Sequence, residues 1–145
     1  MSRNKAKGTK WEGDVRDFLN RFARFGRGKL WEVYRPAQEG FRDTGDLHGL
    51  PFFAVQCKDW RDVTGAVREG TDGSLKQAEN AGVPLAVNVV KRARKNVRLG
   101  YAVLTLRNFG ALMYALARAD ALLAAANLDE SVLELIEEGL KQDVS

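Results

Sequence analysis

The chain has 145 residues, 45% of them apolar and 29% charged, which is enough for one domain that buries a core without disulfides. A single cysteine and a single histidine exclude an intrachain disulfide, a zinc site of Cys and His alone and the paired histidines of many hydrolytic metal centres. Any catalysis must then rest on carboxylates, lysine and main chain. The net charge of +4 divides into two basic blocks, ten Lys/Arg against four Asp/Glu in 1–35 and five cations in 91–98, and an acidic tail with seven acids in 120–145, a distribution that implies a polyanion bound on one side of the fold.

Residues 1–9 read as a flexible basic arm. They lack the apolar core of a signal peptide, and no apolar run approaches the length of a membrane span, so the cytoplasm is the expected location and no membrane is expected as partner. Thr9 can cap a helix over 10–25, with Glu12 completing a capping box and Trp11, Val15, Phe18, Phe22 and Phe25 at helical spacing. Gly26 and Gly28 stop it. Leu30 to Arg35 has strand composition and ends at Pro36. A polar loop runs from Gln38 to Gly45. Asp46 to Leu50 is short and extended, and Pro51 to Lys58 is a strand, the two forming a hairpin through Gly49–Pro51. Residues 61–73, rich in glycine and charge, read as a loop. Ser74 caps a short helix through Ala81. Leu85 to Val90 and Tyr101 to Leu106 are strands joined as a hairpin by the basic loop. Asn108 to Ala126 is helical, and Asp129 caps a last helix through Leu140. The order αβββαββ plus two C-terminal helices predicts one α/β domain over 1–145, with a central mixed sheet flanked by helices. The segment 107–145 is a candidate dimer surface.

The strand from Pro51 to Lys58 alternates. Phe53, Val55 and Cys57 face an apolar layer, and Ala54, Gln56 and Lys58 face the other way. Asp46, across the hairpin, comes opposite the Gln56–Lys58 end. Hydrolysis of a phosphodiester needs an activated water and a counter-charge for the phosphate. Mg²⁺ provides both on a few hard oxygen ligands, and Mn²⁺ can substitute. Asp46 offers a carboxylate, Gln56 an amide oxygen and Cys57 its main-chain carbonyl. Glu12 on the first helix can complete the set. Lys58 can hold the attacking hydroxide or meet the developing charge. Arg3, Lys5, Lys7 and Lys10, with Lys91, Arg92, Arg94, Lys95 and Arg98, are candidate phosphate contacts.

Glu12, Asp46 and Gln56-Cys57-Lys58 together resemble the PD-(D/E)xK nuclease superfamily, whose pattern is an acid on a first helix, an Asp at the start of a strand and acid-x-Lys on the next. Asn4-Lys5-Ala6-Lys7-Gly8-Thr9-Lys10-Trp11-Glu12 resembles the start of Holliday junction resolvases, and Asp46-Leu47-His48-Gly49 resembles their metal-Asp strand. Lys76-Gln77-Ala78 fits too, since many members place a Gln near the site, which adds Gln77 to the DNA-binding candidates. The resemblance covers roughly 4–106 and implies a restriction-endonuclease-like core and a Mg²⁺-dependent endodeoxyribonuclease. Its expected substrate is branched DNA such as a four-way junction, cut by a homodimer in a prokaryote or a phage-infected cell. Gln56 departs from the pattern. Its oxygen still coordinates, but one negative charge is lost, which predicts weaker metal affinity and favours one ion over two. Other structure-specific, nicking or restriction-type nucleases of this fold, and a catalytically inactive DNA-binding protein, share the same residues.

Overall fold

The fold grows around one buried strand. Residues 53–58 alternate Val55 and Cys57 on one face with Ala54 and Gln56 on the other, and all four are buried. A strand covered on both faces needs a partner layer on each side. In the computed structural model, which describes residues 2–37 and 43–144, helix α1 (Arg3–Phe22) supplies one layer and helix α2 (Val63–Ala81) the other. The expected loop over 38–45 lies in part, at 38–42, outside the described residues.

The chain forms two compact units, 1–104 and 105–145. In the first, a short antiparallel ribbon of β1 (Arg24–Phe25) and β2 (Gly28–Lys29) follows α1. Then come β3 (Phe53–Lys58), α2, β4 (Leu85–Val90) and β5 (Tyr101–Val103). The sheet is mixed, in the order β3-β4-β5. β3 and β4 run parallel, with Gln56 level with Asn88, and β4 and β5 run antiparallel. Helix α2 is therefore the crossover of a β-α-β unit. The mixed α/β class with helices flanking a central sheet matches the sequence expectation, as does the 85–90 strand; its antiparallel partner is shorter than the expected 101–106 and ends at Val103, because Thr105 caps the helix that follows.

Several expectations are corrected. The basic arm is helical: Ser2, not Thr9, caps α1, its Oγ accepting from the Lys5 N–H at 3.2 Å, so the helix starts more than a turn early. At its other end the chain leaves the helix after Phe22, and Gly26 turns the ribbon with φ +57°. Phe25 thereby drops out of the apolar stripe and is exposed. Leu30–Arg35 and Asp46–Leu50 are not full strands. The second segment meets β3 through the single bridge Leu47–Val55, and the first is bridged to the second by Tyr34–His48. Residues 63–73 are helix rather than loop, capped by Asp62, whose Oδ1 accepts from the Gly65 N–H at 3.0 Å. The glycines that suggested a loop serve close packing instead: a Cβ on Gly70 would lie 2.4 Å from the Asn88 amide.

The larger core joins Trp11 and Val15 of α1 to Val33, Leu47, Val55, Cys57 and Val87. Trp11 Nε1 donates to the Val89 carbonyl at 3.1 Å, so the largest core ring also satisfies its polar atom. On the α2 side the residues are small, Ala54, Ala78 and Ala86, which lets the helix lie close to the strands.

The second unit contains α3 (Leu106–Ala125) and α4 (Val132–Lys141). Thr105 caps α3, starting it two residues before the expected Asn108. Ser131, not Asp129, caps α4, accepting from the Glu134 N–H at 3.2 Å. Among the described residues of this unit no apolar side chain is buried. Among the described residues, no helix is long and apolar enough to cross a membrane.

Candidate metal and nucleic-acid site

Asp46 is held by backbone before it is used by side chain. The Val55 carbonyl accepts from the Asp46 N–H at 2.8 Å and the Leu47 N–H at 3.4 Å, which hangs the start of this segment on β3. Gly45 makes that approach possible. Its φ is +114°, and a Cβ there would sit 3.1 Å from the Val55 oxygen. The residue before the aspartate is thus fixed as glycine by backbone geometry.

The Asp46 carboxylate then reaches over the edge of β3. Its Oδ2 accepts from the Cys57 N–H at 2.8 Å and from Gln56 Nε2 at 2.8 Å. The same Nε2 lies 3.4 Å from the Cys57 carbonyl. A carboxylate, an amide and a main-chain carbonyl therefore share one small volume, at the spacing the alternation of β3 predicts. Burial pushes the Asp46 carboxyl up to about 6. The Glu12 and Asp43 charges add to the rise, while the Cys57 N–H and the Lys58 ammonium oppose it. Burial also pushes the Cys57 thiol well up, reinforced by Asp46 and Glu12, so it stays protonated and inert.

This cluster opens into a cleft of about 1160 Å³ whose walls include Glu12, Asp46, Gln56, Cys57 and Lys58, the whole set expected from sequence. Glu12 is engaged by the guanidinium of Arg35 at 2.9 Å, a pairing across 23 residues that no local pattern signals. Lys58 holds its Nζ 4.6 Å from the centre of the Trp60 ring, a cation–π contact that fixes the ammonium at the mouth of the cleft. Trp60 itself is 38% exposed.

The basic residues divide. Arg3, Lys7, Lys91 and Arg94 line the cleft. Because the arm is a helix, Arg3 and Lys7 fall on one face at i and i+4, and Lys5 points away from them. Lys5, Lys10, Arg92, Lys95 and Arg98 do not line it: Lys10 pairs with Asp14 at 2.9 Å, and Arg92 stacks on Tyr101 at 5.1 Å. Gln77, counted with the DNA contacts, is 2% exposed. Its Nε2 donates to Gln56 Oε1 and, at 2.9 Å, to Asp43 Oδ2. Burial against Gln56 takes it away from any phosphate and makes it a support of the site. Asp43 enters the site by this route.

Among the described residues no three His, Cys, Asp or Glu side chains converge to hold an ion. A divalent cation would have to be held by Asp46, the Cys57 carbonyl and the Gln56 amide, with Glu12 as a further acid. The atom of Gln56 nearest Asp46 is nitrogen, a donor. The set fits a hard cation once that amide is turned, because its oxygen then takes the place of Nε2 beside a carboxylate and a carbonyl.

Comparisons of the chain with protein-family models, with curated proteins and with solved structures find no match.

Proposed function

We propose that the protein is a divalent-metal-dependent endodeoxyribonuclease of the PD-(D/E)xK type, acting on branched DNA such as a four-way junction. The observation that carries this reading is the contact of the Asp46 carboxylate with the Gln56 amide and the Cys57 N–H, in a cleft that also holds Glu12 and Lys58. The order α1, bridged segment, β3, α2, β4 supports a restriction-endonuclease-like core.

Mg²⁺, when bound, would supply an activated water and neutralise phosphate charge, and Mn²⁺ would do the same. The protein's own groups supply the rest. Asp46, Gln56 and the Cys57 carbonyl hold the ion. Lys58, steadied by Trp60, donates to a phosphate oxygen or holds the attacking hydroxide. Arg3, Lys7, Lys91 and Arg94 bind flanking phosphates, which sets affinity and register without a sequence code. A homodimer suits a junction, whose two scissile strands are related by two-fold symmetry. The exposed apolar side chains of α3 and α4, Leu106 and Leu133 among them, support such pairing.

The test is cleavage of a four-way junction with Mg²⁺. Asp46→Ala and Lys58→Ala should each lower the rate at least about 100-fold, and undiminished cutting by both would defeat the assignment. Flap and linear duplex substrates run alongside separate junction resolution from nicking or restriction-type cleavage. One observation favours a second reading, a non-catalytic DNA-binding protein: Gln56 presents nitrogen rather than oxygen to Asp46. Junction binding with no Mn²⁺ uptake would support it.

A further inference from the structure

Of the three tryptophans, two serve the core. Trp11 is 2% exposed and donates its indole N–H to the Val89 carbonyl. Trp31 packs against the same core and donates to the Leu19 carbonyl at 3.2 Å. Trp60 belongs to neither apolar cluster and is 38% exposed. An aromatic ring that the core does not use keeps its surface for a partner.

The place of that ring is fixed. Trp60 lies in the link 59–62 between β3 and α2, and the link is tied at both ends. The Lys91 N–H donates to the Lys58 carbonyl at 2.9 Å, Asp59 pairs with Lys91 at 3.5 Å, and Asp62 caps α2. Anchored backbone thus presents the ring on the wall of the cleft. Among the described residues of that wall Trp60 is the one aromatic, and Arg3, Lys7, Arg61, Lys91 and Arg94 line the same cleft. Cations that hold phosphates, beside a ring that can stack on a base, are the combination that binds unpaired nucleotides. Lys58 joins the two parts, with its Nζ 4.6 Å from the ring centre: a phosphate that meets this ammonium brings its nucleotide beside the ring. In continuous duplex each base is covered by its neighbours, and the ring gains nothing. A branch point, flap or bulge uncovers a base face. One ring serves one base, whereas a groove for extended single strands uses successive aromatics.

We infer that Trp60 is a specificity-determining residue: its ring stacks on an unpaired or unstacked base next to the bound phosphate and so favours DNA interrupted at that point over continuous duplex. The inference rests on the DNA-binding part of the reading above and needs no metal.

Binding of the full chain to two labelled DNAs in EDTA, followed by fluorescence anisotropy, tests it. One is a duplex of about 20 base pairs, and the other is the same duplex with an unpaired thymine at its centre. The wild type should bind the bulged DNA at least about five-fold tighter. Trp60→Ala should bring the two affinities within about two-fold of each other, and Trp60→Phe, which keeps a π-face, should recover a preference of at least about three-fold. A Lys58 loosened by either substitution would weaken both DNAs alike, so the ratio reads stacking. A wild type without preference, or a preference that survives Trp60→Ala, would overturn the inference and leave DNA binding standing. No binding of either DNA by the wild type would remove the DNA reading and the inference with it. Cleavage is not the readout, so an inactive DNA-binding protein meets the same test. On the unaltered chain, saturating bulged DNA should quench tryptophan emission more than saturating duplex does, and equal quenching would contradict stacking.

Discussion

The two faces of β3 are built on opposite principles. Toward α1 the contacts are large and apolar: Trp11, Val15, Val33 and Leu47 close over Val55 and Cys57, and the one polar atom of Trp11 is bonded. Toward α2 the apolar residues are small, and buried amides sit among them. Two of those amides, Gln77 and Asn88, each keep a buried oxygen without a hydrogen bond among the described residues. One face is satisfied and holds the fold. The other is left incomplete beside a carboxyl raised to about 6. Incomplete polar satisfaction next to a perturbed acid is where a fold departs from its own stability optimum for a task.

The apolar face should be the most sensitive in stability. Trp11→Ala removes a fully buried ring and should cost about 3–5 kcal/mol in chemical denaturation; a loss below about 1 kcal/mol would mean that α1 is not the core layer. Next comes Asp46. Its folded carboxyl is raised above its unfolded value, so its proton stabilises the native state below about pH 4, and that contribution is lost as pH rises through about 6. Asp46→Asn stays neutral and should make the metal-free protein about 2 kcal/mol more stable at pH 7, with the gain shrinking to within about 0.5 kcal/mol near pH 4. Denaturation curves at the two pH values check it, and a destabilised variant at pH 7 would show that ionised Asp46 is well paired without metal. Of similar size, Gly70→Ala forces a Cβ against the Asn88 side chain and should cost about 1–3 kcal/mol, where an ordinary exposed helix glycine would gain stability from the same change. Finally, Arg3→Ala with Lys7→Ala should weaken DNA binding evenly across sequences and reduce the logarithmic salt slope by about 2. Lys5→Ala, on the other side of α1, should leave the slope within about 0.5 of wild type.

What could be read in advance followed from short periods. The two-residue alternation of β3 separated Val55 and Cys57 from Gln56, and the ten residues from Asp46 to Gln56 were enough to bring those two side chains together. The rest depended on contacts across the chain. Gly65, Gly70 and Gly73 look like loop residues in a row, yet Gly65 clears its own helix cap and Gly70 clears Asn88, a demand that appears only when helix and sheet are assembled. The N-terminal cations gave no apolar periodicity, so a helix beginning at Ser2 was hidden. Glu12 could be placed on a helix, but not against Arg35. Gln77 could be placed near the site, but its burial and its hold on the Gln56 oxygen could not.

The most direct measurement is a crystal of the full chain grown with Mn²⁺, read by anomalous scattering. One ion should be bound by the Asp46 carboxylate and the Cys57 carbonyl, with Gln56 Oε1 turned toward it and Lys58 at the same cleft. An ion bound elsewhere, or no ion beside an Asp46 that still accepts from Gln56 Nε2, would contradict it.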